Sequence, residues 1–200
     1  MIYYSVKDKA EGLFKDKGSK FLGYVFPVST EDQCKLFIID YKRTFHDARH
    51  HCYAYTLGSL AQKSKYSDDG EPSSSAGKPI LNQLVTHSLS NTMIIVVRYF
   101  GGTLLGVNGL INAYKNAAAD AIKNAELLPI TEKVKLTIAF NYEQMNMAMK
   151  IIKETVVKIE NTNINQKCEI LAEINKEDLV AFKEKFKLIQ GIDIQEINLH

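Results

Sequence analysis

The sequence is short of cysteine, of long apolar runs and of net charge, and each shortage removes a class of function. Its three cysteines, Cys34, Cys52 and Cys168, are scattered over 200 residues. They lack the paired spacing of a disulfide framework or a zinc knuckle. No apolar run approaches the roughly 20 residues that a membrane-spanning helix needs. The opening MIYYSVKDKAEG lacks the basic-then-apolar pattern of a secretory signal. The expected home is a reduced cytoplasm, with no membrane partner. Net charge is only +2, too small to announce a nucleic-acid partner by itself. Up to residue 130 there are 15 Lys+Arg against 12 Asp+Glu, and beyond it 10 against 11. Any basic footprint therefore belongs to the N-terminal part and is local.

What is present is enough chain for one large domain or two small ones. KFLGYVFPV (20–28) is aromatic and β-branched, as strands are. Thr30 and Gln33 form a capping box for a following helix, whose stripe is Cys34, Phe37, Ile38, Tyr41 and Phe45. CYAYTLG (52–58) reads as the next strand. A polar stretch of about 19 residues then runs to Gly77, long for a connection in a compact domain. Pro79 suits the first turn of a helix over 79–88. MIIVVRYF (93–100) has the continuous apolarity of a strand covered on both faces. An Ala-rich helix capped by Asn108 follows, burying Leu110, Tyr114, Ala117, Ala118, Ala121 and Ala125. ELLPITEK (126–133) reads as a joint. Beyond it the pattern is strand (133–140), helix (142–153), strand (155–161), strand (167–174), helix (176–188), strand (191–198), the split βαβ arrangement of ferredoxin-like folds. Asn141 and Asn175 stand at cap positions, and Gly191 at a left-handed helix end. Met145, Met147 and Met149 are read as core packing rather than as a binding face.

Three stretches could carry chemistry. YSDDGEPSSSAGKPIL (66–81) resembles a phosphate-binding loop, but six residues separate Gly70 from Gly77 where a nucleotide P-loop needs four. Pro79 stands where a Ser or Thr would hold magnesium, so the P-loop is rejected. The first turn of the helix after Gly77, with Lys78 and the hydroxyls of Ser73, Ser74 and Ser75, could still receive an anion. Asp68, Asp69 and Glu71 could hold a hard cation, yet they lack the alternating spacing of a calcium loop. The favoured reading has them cap turns and pair with Lys or Arg across the domain. FHDARHHC (45–52) imitates a zinc-protease motif through His46 and His50. Asp47 is too short for the base, and the helix is expected to end before His50. Cys52 is read as a small apolar strand residue rather than a nucleophile. In VVRYFGGTLLGVNGLINAY (96–114), Gly101, Gly102, Gly106 and Gly109 permit close approach of a ligand or of a neighbouring element, and both readings stay open. Arg98 ends an apolar strand and needs a partner, which Asp68, Asp69 or Glu71 could supply.

Together, DARHHCYAY, SDDGEPSSSAGKPIL and VVRYFGGTLLGVNGLINAY closely resemble the IMPACT/YigZ family over the whole chain. The resemblance implies an α+β protein. An IMPACT-type N-terminal domain (1–128) would have a two-layer α/β fold like the second domain of a small-subunit ribosomal protein. A ferredoxin-like βαββαβ domain (133–200) would resemble modules of the ribosomal translocase. It also implies translation regulation, with no secure enzymatic activity. The chain departs from the family pattern at Ser74, Ser75 and Lys78, where lysine replaces an arginine, and at Leu105, Asn108 and Asn112, so that two cations common in the family beside the glycine turn are missing. That leaves Lys17, Lys20, Arg49, Lys78 and Arg98 as candidate phosphate contacts.

The expected function is a non-catalytic, cytoplasmic protein that contacts RNA or a ribosome-associated protein, without cofactor or metal. The expected contact set is Lys20, Arg49, His50, Asp68, Asp69, Glu71, Ser73, Ser74, Ser75, Gly77, Lys78, Arg98 and Tyr99, with the glycines at 101, 102, 106 and 109. Two alternatives remain: a metal-assisted hydrolase or phosphoester enzyme at Asp68, Asp69 and Glu71, and a purely protein-binding adaptor.

Overall fold

The computed structural model describes residues 3–58, 61–156, 158–164, 167–187 and 189–197. Ser59 and Leu60, at the start of the long polar stretch, lie outside the described residues, as do Val157, Leu188 and Asn198 of the expected C-terminal elements. The chain divides into two units, Met1–Ile130 and Thr131–His200.

The first unit runs β1 (Tyr3–Val6), β2 (Ala10–Asp16), β3 (Ser19–Pro27), α1 (Glu31–Thr44), β4 (His50–Leu57), β5 (Lys63–Ser67), α2 (Gly77–Thr86), β6 (Thr92–Tyr99), α3 (Gly106–Lys123) and β7 (Leu127–Ile130). Five strands form an antiparallel sheet in the order β2-β3-β6-β4-β5, and β1 pairs separately with β7. Alternation along the central strands sorts their side chains onto two faces. Phe21, Val25, Cys52, Ala54, Ile94 and Val96 pack with Ile80 and Leu84 of α2 and with Leu110 and Tyr114 of α3. Tyr24, Phe26, Tyr55, Met93, Ile95 and Val97 pack with Cys34 and Tyr41 of α1. Both faces of β6 are thus covered, which is why its sequence is apolar throughout. The expected two layers are the sheet with α2 and α3, and α1 adds a cover on the opposite face.

Local chemistry sets the helix ends. The Thr30 hydroxyl accepts the Gln33 amide at 3.2 Å, while the Gln33 side chain accepts the amide of Ser29, one residue before the cap, at 2.8 Å. The helix α3 starts at Gly106, whose φ is +71°. Asn108 therefore lies inside its first turn instead of capping it. The polar stretch before Gly77 contains β5, and the joint before residue 131 contains β7.

The second unit runs β8 (Lys133–Asn141), a 3-10 turn (Tyr142–Gln144), α4 (Met145–Thr155), β9 (Lys158–Ile164), β10 (Lys167–Asn175), a second 3-10 turn (Lys176–Asp178), α5 (Leu179–Lys187) and β11 (Asp193–Ile197). The antiparallel strand order β11-β8-β10-β9 makes it a ferredoxin-like sheet. Leu136, Ile138, Phe140, Ile170 and Ile174 form its core with Ile152, Phe182 and Phe186. Asn141 and Gln144 close a reciprocal capping box, and Gly191 has a φ of +83°. Met145 and Met149 pack against the core, whereas Met147 is exposed.

Candidate functional site

The acidic loop is occupied by the protein's own donors. Helix α2 begins without a side-chain cap of its own, so the amides of its first turn need an acceptor. Asp68 provides it from outside the helix: one carboxylate oxygen accepts the amides of Ala76 (3.0 Å) and Gly77 (2.8 Å), the other that of Ser74 (2.9 Å). The position where an external anion was expected is thus filled by a carboxylate. Gly77 is required there for close approach, since a Cβ would lie 2.7 Å from the Ser67 backbone. Ser75 is buried, its hydroxyl donating to the Pro72 carbonyl, while Ser73 and Lys78 are exposed.

Asp69 reaches the opposite way. It receives the Lys42 ammonium at 2.7 Å and the His51 amide at 2.7 Å. Burial works to raise its pKa, but these two donors overcome it and hold the carboxyl below its ordinary value. His50 lies with Nδ1 2.9 Å from the Asp69 carbonyl, and a carbonyl can only accept, so Nδ1 carries the proton. Glu71 Oε1 accepts from Arg98 Nη1 at 2.7 Å and from the Tyr114 hydroxyl at 2.7 Å. Both members of the ion pair are over nine-tenths buried, with side-chain exposures of 8% and 4%. Burial first, then the neighbouring Cys52 and Glu71, pushes the Tyr114 phenol up, so it stays protonated and donates. Burial likewise raises the Cys52 thiol, which donates to the Asp68 carbonyl at 3.0 Å. Such a thiol is a poor nucleophile. Among the described residues no group of three His, Cys, Asp or Glu side chains is placed to share a metal ion.

The segments meet, with His50 opposite Arg98 in the β4–β6 register, yet Asp68, Asp69, Glu71 and Arg98 are all engaged by internal partners, while Lys78 stays exposed. Unspent charge lies one step away. Strands β2 and β3 join through Lys17 and Gly18, both at positive φ (+43° and +79°), the two-residue turn whose twist suits a hairpin. It sets Lys15 directly opposite Lys20, and Lys20 opposite Tyr99 of β6. Arg49 is exposed and immediately precedes His50. One transverse line thus holds Lys15, Lys20 and Tyr99, with Lys17 and Arg49 at its ends. Among the described residues neither Lys15 nor Lys20 has a carboxylate within ion-pair distance. Two acids stand close by: Asp16, between Lys15 and Lys17 in the chain and opposite Ser19, and Asp47, which accepts the Tyr99 hydroxyl at 2.9 Å.

The glycine loop borders this line. A Cβ on Gly101 would fall 1.9 Å from the backbone of Gly18, so the loop lies directly against the hairpin tip. Gly102 and Gly106 have positive φ and face open space, while Gly109 packs on Leu105. Phe100 is 48% exposed. No motif in the sequence marks Lys15 or Phe100, and although Tyr114 is expected to be buried, its hydrogen bond to Glu71 is not. The alternation of Leu13 and Lys15 before the Lys17-Gly18 turn, mirrored by Lys20 and Leu22 after it, is the signal that could have placed the first.

Comparison with known proteins agrees with this fold. The Impact N-terminal domain family model matches residues 17–122. The chain is 29% identical over 185 residues to the IMPACT family member YvyE of Bacillus subtilis (strain 168), covering 91% of this chain and 84% of that one. It is 32% identical over 149 residues to the IMPACT family member YigZ of Escherichia coli (strain K12), covering 74% and 73%. A crystal structure of a protein described only as hypothetical superposes with a TM-score of 0.74 at 25% identity, covering all of this chain and 98% of that one.

Proposed function

Starting from the fact that this chain belongs to the IMPACT family, we propose that it is a non-catalytic binding protein of the translation machinery that holds RNA at the hairpin end of its five-stranded sheet. The observation that carries this reading is the pairing of Lys15 with Lys20. Like charges directly opposite in a sheet are destabilising, and among the described residues no carboxylate lies within ion-pair distance of either lysine. A phosphate backbone supplies the missing negative charge, with Lys17 and Arg49 extending the contact and Tyr99 between them.

The second unit offers a poorer surface. The open face of its sheet pairs Lys135 with Glu160 at 2.8 Å and Lys133 with Glu173 at 3.5 Å. The one aromatic among its described strand residues, Phe140, is in the core. A metal-assisted hydrolase draws no support, because Asp68, Asp69 and Glu71 are each engaged by internal donors.

A filter-binding titration with ribosomal RNA tests the proposal. Affinity is expected to fall linearly with salt on logarithmic axes, and Lys15→Ala with Lys20→Ala to reduce the slope by about two. Affinity that ignores salt, or is unchanged by the double variant, rejects it. Capture of a ribosome-associated partner that survives nuclease treatment and depends on the same lysines moves the reading to a protein contact.

A further inference from the structure

Resting on that reading of the site, we propose that the RNA it takes is single-stranded, with one unpaired base stacked on the outer face of Phe100. Phe100 is the first residue beyond β6 and is half in water. Its ring is not loose: the Arg98 guanidinium sits 5.6 Å from its centroid, and 5.5 Å from that of Phe21. The guanidinium is fixed by Glu71. Its Nε is buried without a hydrogen-bond partner, a cost accepted where the group lies between two rings. Phe100 is thus supported by a buried cation and keeps the rest of its surface in solvent.

Beside it opens a hollow of about 450 Å³ lined by Gly18, Lys20, Leu22, Tyr99 and Phe100. That volume accepts a nucleobase, and Lys20 places a cation at its edge for the attached phosphate. A base inside a duplex presents no free face, whereas unpaired bases stack readily on aromatic side chains. Leu104 of the same loop and Val107 in the first turn of α3 are also exposed and would suit a protein surface. Lys20, which lines the same hollow as Phe100 and has no carboxylate within ion-pair distance among the described residues, favours the polyanion.

The full chain with a labelled RNA of about 12 nucleotides, within the usual span of single-strand sites, and a duplex of the same sequence, decides the matter by fluorescence anisotropy. Phe100→Ala is expected to weaken single-strand binding about tenfold and to leave its salt slope unchanged, because stacking releases no counterions. The chain contains no tryptophan, so Phe100→Trp creates a single reporter. It should keep the affinity, and its emission should be quenched by the single strand and not by the duplex. Salt-dependent binding that Phe100→Ala leaves untouched, a duplex bound as tightly as the single strand, or Phe100→Trp emission indifferent to RNA overturns the stacking proposal and leaves the lysine contact standing. No salt-dependent RNA affinity in the unaltered chain overturns both.

Discussion

Arg98 and Glu71 form an ion pair at 2.7 Å with both side chains almost wholly removed from solvent. A buried pair of this kind is expensive to break, because the surviving charge keeps its desolvation cost. Glu71→Ala is expected to lower the stability of the first unit by about 3–5 kcal/mol, and Glu71→Leu combined with Arg98→Met to recover much of that loss. Nine of the ten tyrosines lie in the first 130 residues, so urea unfolding followed by near-ultraviolet circular dichroism reads this unit selectively. A double variant as damaged as the sum of its parts would show that the pair is not the unit of stability.

Asp68 acts as a cap supplied from a neighbouring loop. Its replacement by Ala strands the amides of Ser74, Ala76 and Gly77. A lost helix cap costs about 1–2 kcal/mol, and hydrogen exchange should locate the loss in the first turn of α2. Uniform exchange across the unit would contradict the assignment.

Asp69 makes stability depend on acid pH. Its pKa lies below the ordinary 3.8, so the folded state binds this proton less readily than the unfolded chain does. The contribution is complete above the unfolded value and is lost as pH falls through the folded one. Asp69→Asn is expected to flatten the stability profile below about pH 4 while changing its shape little near neutrality. An unchanged acid limb would contradict this.

Gly77 faces two opposed effects on substitution. Alanine is the better helix former by up to about 1 kcal/mol, but its Cβ would stand 2.7 Å from the backbone of Ser67. Backbone cannot yield as a side chain does, and overpacking of this kind costs about 1–3 kcal/mol. Thermal melting of Gly77→Ala should therefore move downward, and an unchanged or raised midpoint would mean that β5 has shifted to make room.

The elements legible in the sequence were those with apolar contrast. β3, β4 and β6 carry aromatic and β-branched residues, and α1 and α3 carry one buried stripe each. β5 has almost none: KSKYS is an edge strand exposed along most of its length, so its hydrophobic pattern vanishes into the polar stretch around it. β1 and β7 are four residues each and pair across nearly the whole first unit, a match no local window can reveal. The acids at 68, 69 and 71 and the cation at 98 could be named from their residue types and their setting. Which carboxylate took Arg98 could not, because the choice depends on the direction in which each side chain leaves a tight turn. The line through Lys15, Lys20 and Tyr99 was hidden for a different reason: it exists only once the register of three strands is fixed.

The contact between Gly18 and Gly101 joins two surface loops that are 83 residues apart by backbone lying against backbone, and the Gly101 amide closes it by donating to the Ser19 hydroxyl at 3.1 Å. In the proposed contact, the lysines on one and the aromatic on the other would be held in place beforehand, so an incoming strand would not spend its own binding energy assembling them. A methyl group on Gly101 would fall 1.9 Å from the Gly18 backbone and force the two loops apart, while leaving every residue of the proposed contact unchanged.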